Sequence, residues 1–255
     1  MNPLDIYKKL PRDNCGKCPA LTCMSFAVRL SKKELSASEC PALDENSKKE
    51  INGMISSVSD WKEKRLAELF DEISQVNFPT VAEGIGAVSE KDALKITYMG
   101  KEVMISHSCF KDELGIWDKL LILMYIKTAG RGRLSGKWTA FRDLKNGLIR
   151  ANSFNEACEK KLAGMYGKTG EGLLTRLKAM NAAEAAGFSA DHSYVLYPLP
   201  KIPFLLLFWS GDEDFESDCK ILLDSTATEF LDVEALLYLG MALTWAINPV
   251  IIDNC

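Results

Sequence analysis

Residues 15–41 read CGKCPALTCMSFAVRLSKKELSASECP, and they hold four of the eight cysteines in this 255-residue chain. Cys15, Cys18, Cys23 and Cys40 form the pattern C-x2-C-x4-C-x16-C. We expect a cytoplasmic protein, and in a reducing compartment a local cluster of cysteines favours a metal site over disulfides. Thiolates bind iron and zinc well, so the stretch predicts a metal centre.

Apolar residues follow the third cysteine at helical spacing. Cys23, Phe26, Ala27 and Leu30 would lie on one face of a helix running to about residue 33. That face would join a ligand to side chains that cover the metal and exclude water. Gly16, between the first two cysteines, allows the backbone to approach the metal closely.

The spacing of the four cysteines favours a [4Fe-4S] cluster over zinc. Structural zinc sites usually present two short ligand pairs, whereas this chain has only one, followed by a third cysteine after four residues. Three ligands in one loop and a distant fourth suit the diverging corners of a cubane better. The pattern is neither that of bacterial two-cluster ferredoxins nor that of plant-type ferredoxins. Zinc and unliganded thiols remain the alternatives.

Residues 3–41 resemble a small iron-sulfur module. This module occurs in the large subunit of the corrinoid iron-sulfur protein of the acetyl-CoA pathway and in the B subunit of Rnf electron-transport complexes. The likeness lies in the CGxC opening, the four-residue gap, the pair Phe26–Ala27 and the closing Cys40–Pro41. Pro19 and Lys32–Lys33 stand where that module often has glycine, and neither change removes a ligand. The resemblance implies a redox partner, such as a corrinoid protein or a methyltransferase system.

The chain divides by composition into three parts. We predict a cluster module over residues 1–45, a helical connector and linker over 46–80, and a larger domain over 81–255. The linker prediction rests on Phe78–Glu90, which contains one proline and two glycines.

The larger domain mixes helices and strands without regular alternation, which predicts an α+β fold with a mainly antiparallel sheet. A hairpin is expected around Met99-Gly100-Lys101. The other predicted elements are a helix over 112–127, two helices within 153–187 broken around Gly167–Gly170, strands at SYVLYPLP, IPFLLLFW and CKILLDS, and a helix over 229–247.

Residues 91–247 resemble an uncharacterised domain family that often follows this iron-sulfur module in anaerobic bacteria and archaea. The likeness lies in the segments YIKTAGRG, SGKWTAFRDLKNG, LPKIP and WSGDEDF. The family implies no activity, so the resemblance supplies only an association between the two domains.

The loop GRGRLSGKW, Gly130–Trp138, is the strongest candidate for a second site. Its glycines let backbone N–H groups cradle an anion, and Arg131, Arg133 and Lys137 could pair with it. Arg142 extends the basic character. The loop lacks the glycine spacing and the Ser or Thr of a Walker A motif. The alternative is a solvated loop that needs its glycines only for turns.

Other polar groups allow weaker hypotheses. The stretch GDEDFESD, Gly211–Asp218, could bind a hard cation but lacks EF-hand spacing, so a solvated turn is the alternative. His192 could ligate a metal or the central atom of a corrinoid or other tetrapyrrole, although a lone histidine is more often structural. The four remaining cysteines read as packing residues or surface thiols: Cys109, Cys158, Cys219 and Cys255.

Bulk composition excludes some classes of function. A net charge of −4 and a pI near 5.4 argue against a general nucleic-acid binder. No apolar run is long enough to suggest a membrane span.

Three functions stay open at this point. The preferred one is electron transfer or redox maintenance in anaerobic metabolism, serving a corrinoid or other tetrapyrrole partner. The second is a cluster-dependent enzyme that holds an anionic substrate at the Gly130–Trp138 loop. The third is a non-catalytic protein whose cluster is purely structural.

Overall fold

The computed structural model describes residues 3–31, 34–128, 130 and 132–247. The chain separates into two compact units, Met1–Ala67 and Glu68–Cys255. The boundary falls inside one long helix, α3, which spans Glu45–Ile73.

The smaller unit contains short helices around the cysteines. Its elements before α3 are α1 (Pro3–Tyr7), α2 (Cys23–Ser31) and a 3-10 turn at Ala37–Glu39. The Thr22 hydroxyl accepts from the Ser25 N–H at 3.1 Å and so caps α2. The buried face of α2 consists of Cys23, Phe26, Ala27 and Leu30, which confirms the predicted amphipathic helix.

One small hydrophobic core holds this unit together, and it contains two of the four clustered cysteines. Its buried members come from α1, α2, α3 and the loops between them. They are Ile6, Leu10, Ala20, Cys23, Phe26, Ala27, Leu30, Ala37, Cys40, Leu43 and Ile51. The same packing that folds the unit therefore positions the thiols of its candidate metal centre.

In the larger unit the predicted hairpin is confirmed. Strands β1 (Val88–Glu90), β2 (Ala93–Tyr98) and β3 (Lys101–Ser106) form an antiparallel three-stranded sheet in that order. Met99 and Gly100 join β2 to β3 with φ values of 49° and 78°. Two consecutive positive φ values suit the right-handed twist of a tight hairpin, and glycine accepts such a conformation readily.

The segment predicted as a linker, Phe78–Glu90, is instead part of the larger unit. It begins with a short helix, α4 (Phe78–Val81), capped by the Asn77 side chain, and it ends in β1. Phe78 and Ile85 are buried. Proline at the first turn of a helix is favourable because its missing N–H is not needed there, so the proline in this segment marks a helix start.

Five antiparallel strands form the main sheet, in the order β4-β8-β7-β6-β5. They are β4 (Trp138–Ala140), β5 (Ala183–Glu184), β6 (His192–Leu199), β7 (Ile202–Trp209) and β8 (Asp218–Asp224). The central strand β7 is buried over all residues but the last. The pairing of β6 with β7 is irregular between Leu196 and Leu199, and Pro198 lies in this interruption. A residue without an N–H is tolerated there because the regular ladder is already broken.

Helices complete the larger unit. The α-helices are α5 (Ile116–Lys127), α6 (Ala151–Phe154), α7 (Lys160–Ala179) and α8 (Val233–Ile247), with 3-10 turns at Phe141–Asp143, Gly147–Arg150 and Ala227–Glu229. A π-helical segment, Asn155–Glu159, links α6 to α7. The predicted break appears at Thr169, whose φ of −146° and ψ of 51° kink α7.

The fold class is confirmed as α+β with antiparallel sheets. Within the described residues, no helix combines the length and the apolar character that crossing a membrane requires.

We predict that Gly130→Ala destabilises the larger unit far more than Gly136→Ala. Both glycines have positive φ, 65° and 72°. A Cβ at Gly130 would lie 2.4 Å from the carbonyl carbon of Gly84, whereas a Cβ at Gly136 has nothing within 4 Å. Gly136→Ala should therefore cost about 1 kcal/mol for its backbone conformation, and Gly130→Ala about 3 kcal/mol because backbone atoms would have to move.

The free energy of unfolding, measured in urea, checks this difference. Equal losses for the two variants would mean that the contact between Gly130 and Gly84 adapts easily and does not hold the end of α5 in place.

Candidate metal centre

Four cysteines line one pocket in the smaller unit. Cys15, Cys18 and Cys23 come from the loop before α2 and from its first residue, and Cys40 follows the 3-10 turn. Their exposure falls from Cys15, which is exposed, through the half-buried Cys18 to the buried Cys23 and Cys40. Two segments that are distant along the chain therefore bring all four predicted ligands to the same place.

Apolar side chains close the pocket on its inner side. Leu10, Ala20 and Phe26 line it, and all three are buried. They would exclude water from a bound metal on that side, while the side of Cys15 stays open to solvent.

The loop that carries the first two cysteines has an unusual backbone. Arg12, Asn14 and Gly16 all have positive φ, at 66°, 49° and 67°. Glycine and asparagine adopt this region at little cost, whereas arginine does so with strain. The Asn14 side-chain oxygen accepts from the Cys23 N–H at 2.8 Å. This bond holds the strained loop against the first turn of α2.

Two more side chains position this loop. The Asp13 carboxylate accepts from the Cys15 N–H at 3.4 Å. Arg29, on α2, donates to the Pro19 carbonyl at 3.0 Å and so holds the segment that follows Cys18. Sequence reasoning missed Asp13, Asn14 and Arg29 as positioning residues. For Asn14 the sequence did contain a signal, because asparagine tolerates the left-handed backbone conformation and this one precedes a Cys-Gly pair.

The fourth cysteine is positioned by a capping box. The Ser36 N–H donates to the Glu39 carboxylate at 2.7 Å, and the Ser36 hydroxyl accepts from the Ser38 N–H at 3.4 Å. The Cys40 N–H then bonds the Ala37 carbonyl at 3.3 Å. These local hydrogen bonds fix the position of Cys40 after the chain returns from α2.

Electrostatics in the pocket favour a bound cation. Burial raises the pKa of the Cys40 thiol, the Ala42 N–H opposes this effect, and the nearby Cys18 and Cys15 add to the rise. Several thiolates that share one apolar pocket repel each other unless a positive centre compensates their charge. Iron or zinc ions would supply that charge, because soft thiolates prefer such metals.

The donor chemistry fits an iron-sulfur cluster, since four free thiols line one pocket. Over residues 3–31, 34–128, 130 and 132–247, no three Cys, His, Asp or Glu side chains lie as close together as binding a single metal ion requires. The choice between a cubane and zinc therefore rests on the ligand spacing and on experiment.

The basic loop of the larger unit binds an internal carboxylate. The N–H groups of Ser135, Gly136 and Thr226 donate to Asp224 at 3.1, 2.7 and 2.9 Å. The hydroxyls of Ser135 and Thr226 lie 2.9 and 2.5 Å from the same carboxylate. The N–H groups of Ser135 and Gly136, which the sequence made available for an external anion, are thus satisfied within the chain. Sequence reasoning missed Asp224, which ends a strand and shows no motif of its own.

The charged side chains of this loop point to solvent. Arg133 and Lys137 are exposed, and neither forms an ion pair within the described part of the chain. Arg142 is exposed in a 3-10 turn, and its Nε atom lies 3.9 Å from Oδ1 of Asp143. Arg131 lies outside the described residues. An external anion at these side chains stays a prediction.

The structure does not bring His192 to the basic loop. Lys137 precedes Trp138, which pairs with Asp224 at the end of β8. His192 pairs with Phe208, and Phe208 pairs with a residue near the start of β8. The two positions therefore lie at opposite ends of the sheet, about 17 Å apart along the strands.

His192 lines a broad open groove between α7 and the acidic stretch Gly211–Asp218. Its ring meets the Tyr166 ring edge to face, with 6.0 Å between centroids. Asp212 accepts from the N–H groups of Asp214 and Phe215 at 2.9 and 2.8 Å, so one carboxylate of the stretch shapes a turn.

The other cysteines occupy separate environments. Cys158 and Cys219 are buried in the larger unit, and Cys109 is exposed beside the Ser106 hydroxyl at 3.2 Å. Burial raises the pKa of Cys158 to about 12, so this thiol stays protonated at neutral pH. Cys255 lies outside the described residues.

We predict that Asp224→Asn destabilises the larger unit by about 2–4 kcal/mol at pH 7, because several donors lose a charged acceptor. Burial opposes ionisation of Asp224, but hydrogen bonds from Thr226 and Ser135 outweigh it and lower its pKa to about 2. A carboxylate whose pKa is lower in the folded state stabilises the fold at pH values above its unfolded pKa of about 3.9. This stabilisation is lost as the pH falls towards 2.

Urea unfolding between pH 2 and 7 measures this effect. The difference in free energy of unfolding between the wild type and Asp224→Asn should shrink as the pH falls from about 4 towards the pKa of Asp224 in the folded protein. A constant difference across this range would show that Asp224 does not act through its charge. Asp212→Asn, at an exposed turn, is the matched control.

Comparison with known proteins matches two segments of the chain to different families. Residues 10–42 match the family described as "Putative Fe-S cluster", and residues 77–245 match the family described as "Domain of unknown function (DUF3786)". No solved structure matches the chain.

The curated relatives include gamma subunits of the acetyl-CoA decarbonylase/synthase complex. The subunit of Methanocaldococcus jannaschii is 43% identical over 60 residues, which is 22% of this chain and 12% of the relative. The subunit of Archaeoglobus fulgidus is 29% identical over 124 residues, or 47% of this chain and 23% of the relative. The chain thus spans less than a quarter of the length of these relatives. The family model from residue 77 to 245 covers most of the chain, which therefore belongs to the DUF3786 family.

Proposed function

We propose that this protein holds a [4Fe-4S] cluster through Cys15, Cys18, Cys23 and Cys40 and that it transfers single electrons. The supporting observation is that all four thiols line one pocket. In this proposal residues 1–45 form the cluster module, 46–80 connect it, and 81–255 form the larger domain.

The ligand spacing supports a cubane over zinc. Only one short cysteine pair is present, and the remaining two ligands follow at separate places along the chain. The match of residues 10–42 to the family described as "Putative Fe-S cluster" supports iron and sulfide over zinc. Both observations concern the same four cysteines.

The protein residues would protect and tune the metal. Phe26 and Leu10 keep water from the inner side of the pocket, and Asn14 holds the ligand loop to α2. A [4Fe-4S] cluster supplies one-electron chemistry, with a potential set by charge, hydrogen bonds and solvent exposure. Cys15 is exposed, so an electron partner can come close to that ligand.

The relatives and the resemblance of the module support a partner of the corrinoid type. The relatives are subunits of the acetyl-CoA decarbonylase/synthase complex, and the module resembles that of the corrinoid iron-sulfur protein. We propose a role in anaerobic metabolism, in which the chain supplies electrons to a corrinoid or other tetrapyrrole partner, such as a corrinoid protein or a methyltransferase system. His192 in the open groove would be available to such a group.

A structural cluster is the second candidate, and one observation favours it. Cys23 and Cys40 belong to the hydrophobic core of the smaller unit, so a metal that joins them also joins α2 to the segment after the 3-10 turn. Metal binding would then contribute directly to folding. Reversible reduction of the cluster separates the two candidates.

Anaerobic purification should give about four irons and four sulfides per chain, the content of one cubane. Cys40→Ala removes a ligand and should lower the iron content to less than about half, because three-cysteine sites lose metal readily. Cys158→Ala, at a buried cysteine of the larger unit, is the matched control and should keep the full content. One zinc per chain without sulfide would refute the cubane.

We expect dithionite to bleach the absorption near 400 nm and to produce an electron paramagnetic resonance signal of one unpaired electron per chain. Reoxidation should restore the original spectrum, because a redox cluster changes oxidation state without losing iron. If no reductant produces the signal while iron and sulfide are complete, the cluster is structural.

A further inference from the structure

The most exposed large hydrophobic side chain in the described part of the chain lies beside the proposed cluster. Leu21 is 90% exposed, and it lines the same pocket as the four cysteines. Met24, one residue after the third ligand, is 37% exposed. Neither side chain is needed to fill the core of the smaller unit, since that core consists of other residues. An apolar surface of this kind indicates a contact with another molecule.

Positive charges flank this apolar surface. Arg12 and Lys17 are exposed, and among the described residues neither has an ion-pair partner. Both are adjacent in the chain to residues that line the pocket. Arg12 lies between Pro11 and Asp13, and Lys17 lies between Gly16 and Cys18. The nearby Lys8 and Lys9 are already paired, with Asp5 and Glu50.

Negative charge is scarce at the same place. Asp13 is the only carboxylate between residues 6 and 33, and its oxygen accepts from the Cys15 N–H. The chain as a whole is acidic, with a net charge of −4. A locally basic surface on an acidic protein therefore distinguishes the region around the ligands from the average surface, and it selects partners of opposite charge.

We infer that an acidic electron-carrier protein docks on one surface beside the cysteines, which we call the Leu21 surface. It consists of Arg12, Cys15, Lys17, Leu21 and Met24. This inference rests on the proposed electron-transfer function. An apolar centre with charged residues around it is the usual anatomy of a protein interface. Leu21 would fill a depression on the carrier, and Arg12 and Lys17 would steer its acidic surface.

The exposed ligand gives the docking site its electronic role. Cys15 is the most exposed of the four cysteines, so a carrier seated on the Leu21 surface lies nearest to that ligand. One electron would pass from the reduced carrier to the oxidised cluster. The carrier is oxidised by one electron and the cluster is reduced by one, and no proton or chemical group moves.

A stopped-flow experiment with the whole protein tests this inference. The probe is a reduced, acidic two-cluster ferredoxin, mixed anaerobically with the oxidised protein. Arg12→Glu combined with Lys17→Glu should lower the second-order rate constant about tenfold at low ionic strength, and this difference should shrink in about 0.5 M salt, where charges are screened. Leu21→Ala should lower it about fivefold at both salt concentrations, because it removes an apolar contact.

Matched controls come from the larger unit. Lys101→Glu combined with Lys111→Glu makes the same change of charge at two exposed lysines, and Leu148→Ala truncates a side chain that is 69% exposed. Both controls should react at rates within about twofold of the wild type, since surface position and not net charge determines steering. Iron content and the dithionite-reduced spectrum of every variant should match the wild type. If the double variant loses iron, Lys17→Gln replaces it.

The outcomes separate the inference from the proposed function. If dithionite and ferredoxin both reduce the wild type, but the Leu21 surface variants react as fast as their controls, the docking site is wrong and electron transfer stands. If dithionite does not reduce the cluster at all, the electron-transfer function fails and the docking site fails with it. If ferredoxin reduces the Leu21 surface variants more slowly than the wild type and the controls, the result supports both the docking site and the electron-transfer function.

Discussion

The architecture of the larger unit depends on the burial of one apolar strand. β7 lies between β6 and β8, and seven of its eight residues are buried. Burying a large apolar side chain contributes about 1.5–3 kcal/mol, so covering this strand stabilises the unit strongly. The two candidate polar sites of the larger unit lie at the ends of this sheet. The basic loop lies at one end and His192 at the other.

In the smaller unit the core and the candidate metal centre share residues. Cys23 and Cys40 are members of the hydrophobic core, and Phe26 lines both the core and the ligand pocket. A unit with so few buried side chains gains much from metal ligation, because each added bond restricts a chain with little other stabilisation. The graded exposure of the four thiols also has a functional consequence: one side of the site is sealed, and the side of Cys15 is accessible.

Asp224 changes how the glycine-rich loop is understood. Backbone donors in such a loop bind anions well, and here they bind a carboxylate of the same chain. The loop thereby holds β4 beside the end of β8, and the exposed side chains of Arg133 and Lys137 stay accessible to outside partners. This arrangement leaves the cysteine site as the stronger candidate for chemistry, because the backbone donors of the loop are already satisfied within the chain.

The sequence by itself determined the local features of this protein. Cysteine spacing predicted a ligand set, helical periodicity identified α2, and the pair Met99-Gly100 identified the hairpin, because each depends on residues close along the chain. The tertiary structure alone decided that Asp224 would meet Ser135, 89 residues away, and that Lys137 and His192 would lie at opposite ends of one sheet. Strand order and register create these relations, and no periodicity in the chain encodes them.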